Sequence, residues 1–133
     1  MATESLHLSQ YIDRSPADVY AYASDPTHIP DWAPGLGTKV EKAGDDWFVE
    51  TPGGRVRLTY AGPNEHLVLD HDVHLPDGVS VHNPFRVLPL DDGSEVVFTL
   101  RRQPGMSDDE FAADRAAVTA DLARLREILE GAS

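Results

Sequence analysis

The sequence predicts an α+β fold, a curved antiparallel sheet of about seven strands closed by one long C-terminal helix. The order is strand, two short helices, six strands, helix. Three patterns predict it. Residues 108–130 carry an apolar stripe at helical spacing behind a well-formed cap. Residues 38–103 break into short alternating runs separated by Gly, Pro, Asp and Asn. Residues 4–32 read as a strand followed by a proline-initiated helix.

The first strand covers residues 4–13, with Leu6, Leu8, Gln10 and Ile12 on one face and Ser5, His7, Ser9 and Tyr11 on the other. A helix then starts at Ser15-Pro16-Ala17-Asp18. Ser15 caps it, Pro16 sits where its missing N–H costs nothing, and Asp18 completes a capping box. Val19, Tyr20 and Ala23 form its buried side, and Asp25-Pro26 breaks it because a residue before proline is pushed out of helical space. A second short helix or turn carries His28, Ile29 and Trp32, and Pro34-Gly35 closes it.

Six strands follow, at residues 38–43, 47–51, 55–61, 66–75, 79–89 and 95–103. Their turns are Gly44-Asp45-Asp46, Pro52-Gly53-Gly54, Gly62-Pro63-Asn64, Pro76-Asp77-Gly78 and Asp91-Asp92-Gly93. Strands joined by turns this short are antiparallel neighbours. Alternation sends Val56, Leu58 and Tyr60 inward, then Leu67, Leu69, His71 and Val73, then Val79, Val81, Asn83, Phe85 and Val87, then Val96, Phe98 and Leu100. Each inward face is apolar, with Gln10, His71 and Asn83 as the polar exceptions.

The last helix starts at an N-cap, Ser107. Asp108, Asp109 and Glu110 complement the helix dipole, Glu110 supplies a capping-box carboxylate, and Met106 with Phe111 forms a hydrophobic staple. Phe111, Val118, Leu122, Leu125 and Leu129 make the stripe, Ile128 widens it, and Gly131 is suited to a left-handed stop. At 1.5 Å per residue the helix is roughly 35 Å long. A straight rod and a twisted sheet do not mate along that whole length, so a hollow is expected between them.

Composition narrows the function. A chain of 133 residues is expected to form one domain. Its formal charge of -12 and the lack of a basic stripe argue against nucleic-acid binding. No apolar run is long enough to span a membrane and no signal segment is visible, so a cytoplasmic protein is expected, as a monomer or homodimer. With no cysteine there is no disulfide, thiolate nucleophile or sulfur-ligated metal. No residue pattern calls for a cofactor.

The segment from Ser15 to Trp32, S-P-A-D-V-Y-A-Y-A-S-D-P-x-x-I-P-x-W, followed by six alternating strands and a terminal helix, resembles the START-like superfamily. Within it the chain looks most like the bacterial polyketide cyclase/dehydrase and lipid-transport group. The resemblance implies a helix-grip fold with an internal cavity for a hydrophobic ligand. It implies no particular reaction, because the superfamily includes cyclases, carriers, hormone receptors and chaperone activators and has no invariant catalytic motif.

The inward strand positions and the helix stripe select Trp32, Tyr60, Leu69, His71, Asn83, Phe85, Phe98, Phe111, Val118 and Leu122 as candidate ligand contacts. Trp32 belongs at the cavity entrance or packed under the helix. His71 is the candidate catalytic residue, since a buried imidazole can act as general acid or base on a polyketone; its competing role is a core histidine bonded to a backbone carbonyl or to Asn83. Asn83 is suited to orient a ligand carbonyl. Arg86 faces outward unless Pro84 bulges the strand. Asp70, Asp72 and His74 share a face with His66, a set of hard and borderline ligands for zinc or manganese. Arg55 and Arg57 on the preceding strand favour an ion-paired outer face there instead, and no metal is expected. Binding of a small hydrophobic molecule ranks first, a cyclase or dehydratase using His71 second, and a protein-binding module third.

Overall fold

The computed structural model describes residues 3–34, 37, 39–51 and 54–131. Strand β1 (Ser5–Ile12) leads into helix α1 (Pro16–Ala23), a single 3-10 turn (Pro26–His28) and helix α2 (Ile29–Trp32). Seven strands follow: β2 (Lys39–Ala43), β3 (Asp46–Thr51), β4 (Gly54–Tyr60), β5 (His71–His74), β6 (Ser80–Asn83), β7 (Phe85–Leu90) and β8 (Gly93–Arg101). Helix α3 (Asp108–Gly131) ends the described chain. This is the helix grip expected from the sequence, with eight strands among the described residues instead of about seven. The expected strand start at Thr38 and the turn residues Gly35, Pro52 and Gly53 lie outside the described residues.

The strands form two antiparallel sheets, a three-stranded one in the order β1-β8-β7 and a five-stranded one in the order β2-β3-β4-β5-β6. Two expected strands are shorter than their alternation suggests, and both corrections have local causes. The run at 66–75 yields a strand only from His71, because Leu67 takes a positive φ of 59°. Asn64 holds that detour. Its side-chain oxygen accepts from the His66 and Val68 N–H groups at 3.0 Å each, while its amide donates to the Gly62 and Val68 carbonyls at 3.0 Å each. All four bonding positions of the amide are thus used on the loop backbone.

The run at 79–89 splits at Pro84, which has no N–H to continue the ladder. There the chain leaves one sheet and joins the other. Val79, expected inward, is among the exposed apolar residues. The Val68–Arg86 bridge stitches the two sheets together at this corner.

Both ends of α3 are tied down. At its start, Glu110 N–H donates to Ser107 Oγ at 3.1 Å and Ser107 N–H to Glu110 Oε1 at 3.0 Å, the reciprocal box the sequence predicts. Arg102 adds bonds to the Met106 carbonyl and an ion pair with Asp108 at 2.7 Å. At its far end, Arg14 Nη1 donates to the Leu129 carbonyl at 2.6 Å and Asp13 N–H to Glu130 at 2.9 Å. A cation on the last carbonyls suits the negative end of the helix dipole. Gly131 is itself helical and not in the left-handed region, contrary to expectation. Asp18 is bound by Arg14 at 3.0 Å, while Ser15 Oγ accepts from Asp18 N–H as an N-cap should.

The core lies between the sheets, α1 and the C-terminal part of α3. Ile12, Val19, Leu58, Val96, Leu122 and Leu125 belong to one buried cluster. Full burial of each large aliphatic side chain contributes about 1.5–3 kcal/mol.

Candidate functional site

Register explains why the polar exceptions meet. Tyr60 of β4 pairs directly with His71 of β5, and His71 with Asn83 of β6. Directly opposed residues in antiparallel strands point to the same side, so the three form one row across the inner face. Beyond Pro84 the row is taken up by Phe85 of β7, which pairs with Phe98 of β8.

A chain of rings continues this wall. Trp32 lies 5.9 Å from Phe85, Phe85 lies 5.6 Å from Phe98, Phe98 lies 6.1 Å from His71, and His71 lies 5.3 Å from Tyr60, all centroid to centroid. These separations are favourable for tilted aromatic contacts. The rings surround a hollow of about 80 Å³, closed by Ala23, Ala33, Asn83 and, on α3, Val118, Asp121 and Leu122. Each strand from β4 to β8 therefore contributes one side chain, and all three helices take part.

Small-molecule pockets usually occupy about 300–1,000 Å³, so the rings fill much of the space expected to be empty. A more open vestibule of about 260 Å³ adjoins the hollow, between β6, β8 and α3, and shares Asn83, Phe98, Val118 and Asp121 with it. Those four side chains form the neck between the two spaces. A larger depression of about 400 Å³ between α1 and the β3–β4 hairpin shares Tyr60 with the hollow but is more open and includes Asp45 and Asp46. Enclosed apolar walls with a few polar groups are the better ligand environment.

The polar groups of the hollow are unevenly satisfied. His71 Nδ1 lies 3.1 Å from the Leu69 carbonyl, which can only accept, so the ring proton sits on Nδ1. Nε2 is then an acceptor facing the Asn83 amide nitrogen at a long 3.4 Å. The same logic orients Asn83, whose nitrogen points to His71 and whose oxygen has no bond among the described residues. Burial pushes His71 below its ordinary range, only partly offset by the bond to Leu69 and by the charge of Asp70, so the imidazole is neutral at pH 7. Burial likewise raises the Tyr60 phenol and pushes Asp121 up to about 6. Trp32 is 7% exposed, and its indole N–H is buried without an acceptor among the described residues.

A family profile described as polyketide cyclase / dehydrase and lipid transport matches residues 3–130. The chain belongs to that family. A search of curated proteins by sequence finds no match. Solved structures resemble it at the level of the fold. The Aha1 dimer from Colwellia psychrerythraea gives a TM-score of 0.75 with 14% identity over 96% of each chain. Ara h 8.0201 gives 0.71 with 12% identity, covering 98% of this chain and 99% of that one. Norcoclaurine synthase from Thalictrum flavum, in complex with dopamine and hydroxybenzaldehyde, gives 0.66 with 17% identity over 99% of this chain and 89% of that one.

Within this family member, the expected contacts Trp32, Tyr60, His71, Asn83, Phe85, Phe98, Val118 and Leu122 are brought together around the hollow. Leu69 and Phe111 are not. Leu69 packs in the main core, and Phe111 lies 5.6 Å beneath the Arg102 guanidinium near the start of α3. Trp32 belongs to the inner wall and not to an open mouth. Asp121 was missed, although its place three residues after Val118 on the apolar stripe is the signal that could have found it. Ala23 and Ala33 carried no such signal.

The outer face of β5 and β6 is an ion-pair surface. Asp72 meets His82 at 2.7 Å and Asp70 meets Arg86 at 3.1 Å, while His74 bonds Ser80 Oγ at 2.7 Å and Thr59 Oγ1 at 2.9 Å. Burial alone would raise Asp70, but bonds from Arg86 and the Phe85 N–H outweigh it and hold it below the usual carboxylate range. His66 pairs with Glu65 instead of joining Asp70 and Asp72. Arg55 and Arg57 turn the other way, to Glu41 and Asp46. Among the described residues no group of three or more histidines and carboxylates is arranged to hold a metal. No described helix is long and apolar enough to cross a membrane.

Proposed function

We propose that this protein binds a small, largely apolar molecule of polyketide, lipid or aromatic type in the hollow beneath α3. The observation that carries this is the Trp32 indole N–H, a buried donor in a ring-lined wall with no acceptor among the described residues. An unmet buried donor costs about 1–3 kcal/mol, and a ligand oxygen removes that cost. The rings supply apolar contact, and the row of Tyr60, His71 and Asn83 supplies a few oriented polar atoms. The hollow alone is too small for such a molecule, so the ligand spans the neck, with its body in the vestibule and Phe98 or Val118 displaced. The family's description and the two aromatic molecules held by norcoclaurine synthase support a ligand of this kind.

The chain has two tryptophans, so its indole N–H groups give two resolvable proton–nitrogen correlation peaks. Titration with a panel of phenols, aryl ketones and fatty acids is expected to move the Trp32 peak and leave that of Trp47 in place. A panel that leaves both peaks still would sink the reading.

A catalytic version is favoured by one observation, the free-base Nε2 of a neutral His71 on the wall of the same hollow. In that version His71 removes a proton alpha to a ligand carbonyl while Asn83 holds the substrate. His71→Gln would then abolish turnover of a candidate polyketone while retaining its binding; unchanged turnover removes His71 from any mechanism. A protein-docking role has weaker support. Tyr11, Val79, Leu88 and Leu90 are exposed, as scattered apolar residues ordinarily are.

A further inference from the structure

We infer that the ligand carries a protonated amine and that Asp121 is the group that recognises it. The inference rests on the reading that the hollow binds a ligand, and adds its charge.

The neck offers acceptors and, among the described residues, holds no cation of its own. Asp121, on the wall of both hollow and vestibule, has no hydrogen-bond or ion-pair partner among the described residues. Asn83 reaches the same two spaces with an oxygen that has no bond among the described residues, its nitrogen being turned to His71 Nε2. A primary ammonium has three N–H donors for the two oxygens of Asp121 and the one of Asn83, whereas an alcohol has one donor. The basic side chains nearby are engaged elsewhere. Arg101 at the vestibule donates to Ser5 Oγ at 2.9 Å, and Arg124, farther along α3, bonds the Asp31 carbonyl. Asp114 adds a second carboxylate to the vestibule.

The remaining wall fits the same ligand. Tyr60 and Phe98 supply aromatic faces, whose quadrupole attracts a cation. A formal charge of -12 draws cations and repels anions, so a carboxylate or phosphate ligand would meet opposing charge at the surface and again at the neck. The buried Trp32 N–H, which has no acceptor among the described residues, is the independent observation on this wall and suits an acceptor atom on the same molecule.

Two probes of nearly equal shape test the charge: 2-phenylethylamine and 2-phenylethanol, titrated at pH 7.5 and followed by calorimetry and the Trp32 indole peak. The amine is expected to bind at least about tenfold more tightly. Asp121→Asn is expected to erase that preference while leaving the alcohol within about twofold, and Asp121→Glu to retain it. Equal binding of the two probes to the native protein overturns the inference and leaves ligand binding intact. So does an amine preference that survives Asp121→Asn. Binding of the anionic dye 1-anilinonaphthalene-8-sulfonate with neither probe bound also overturns it. If neither probe nor the dye moves the Trp32 peak, ligand binding itself fails and this inference with it.

Discussion

The two halves of α3 have the same periodicity and opposite surroundings. Toward the C-terminus, Leu122, Leu125 and Leu129 join the main core with Ile12, Val19 and Val96. Toward the N-terminus, Asp114, Val118 and Asp121 face the vestibule, and the buried Phe111 lies outside the main cluster. One amphipathic stripe therefore does two jobs. Where it is purely aliphatic it closes the core, and where two carboxylates interrupt it the sheet falls away and leaves space.

The sharpest way to break this contrast is Leu125→Ala. Leu125 is 0% exposed, and truncating a leucine in a packed core costs about 2–5 kcal/mol. Urea unfolding is expected to report that loss, with probe affinity at the Trp32 peak unchanged while the protein remains folded. A loss below about 1 kcal/mol would show the C-terminal half to be as loosely held as the other.

Ser107→Ala tests whether the N-terminal half is held by its cap. Removing the hydroxyl breaks one arm of the capping box and is expected to cost about 1 kcal/mol. Native-state hydrogen exchange should place the added opening in the first turns of α3 and leave protection around Leu125 as it was. Val118→Ala is expected to cost under about 1 kcal/mol, because the side chain is half-buried beside space. It should widen the neck and tighten binding of bulky probes, a gain that the same truncation at Leu125 would not give.

What was legible in the residues divides along the same line. Elements with strong local chemistry were readable: the Ser107 box, the Ser15-Pro16 start, and the alternation that aims Tyr60, His71 and Asn83 inward. Features set by side-chain bonds to a loop's own backbone, or by distant partners, were not. The strand expected at 66–75 gives way because Asn64 satisfies the loop backbone from within, an arrangement alternation cannot reveal. Arg55 and Arg57 have acidic neighbours on either side, and only the fold selects Glu41 and Asp46. Asp121 is hidden in the sequence because a carboxylate beside an apolar stripe ordinarily lies at its solvent edge, and only the gap between sheet and helix turns it inward.

The most specific expected effect is a change in how stability depends on pH. Asp121 titrates near 3.8 when unfolded and about 6 when folded, so the folded protein holds that proton more tightly. Its destabilising contribution is whole above about pH 6 and fades as pH falls toward 4. His71 acts in the opposite sense. Its folded value lies below the ordinary 6.5, so stability is retained above that pH and lost as acid protonates the unfolded chain first. The groups facing these two are Tyr60 on β4, Asn83 on β6, Arg101 on β8 and Asp114 on α3, together with Asp70, Asp72 and His82 beside His71. Between pH 6 and 4 the two contributions partly cancel in the native protein. Asp121→Asn removes the acid-side gain, so melting temperature should fall more steeply over that interval than in the native protein. At pH 7.5 the variant should be at least as stable, because a desolvated charge has been removed. A variant that is less stable at pH 7.5, with a flatter acid profile, would mean that Asp121 already has a cationic partner within the fold, and the neck would then have no charge left to offer a ligand.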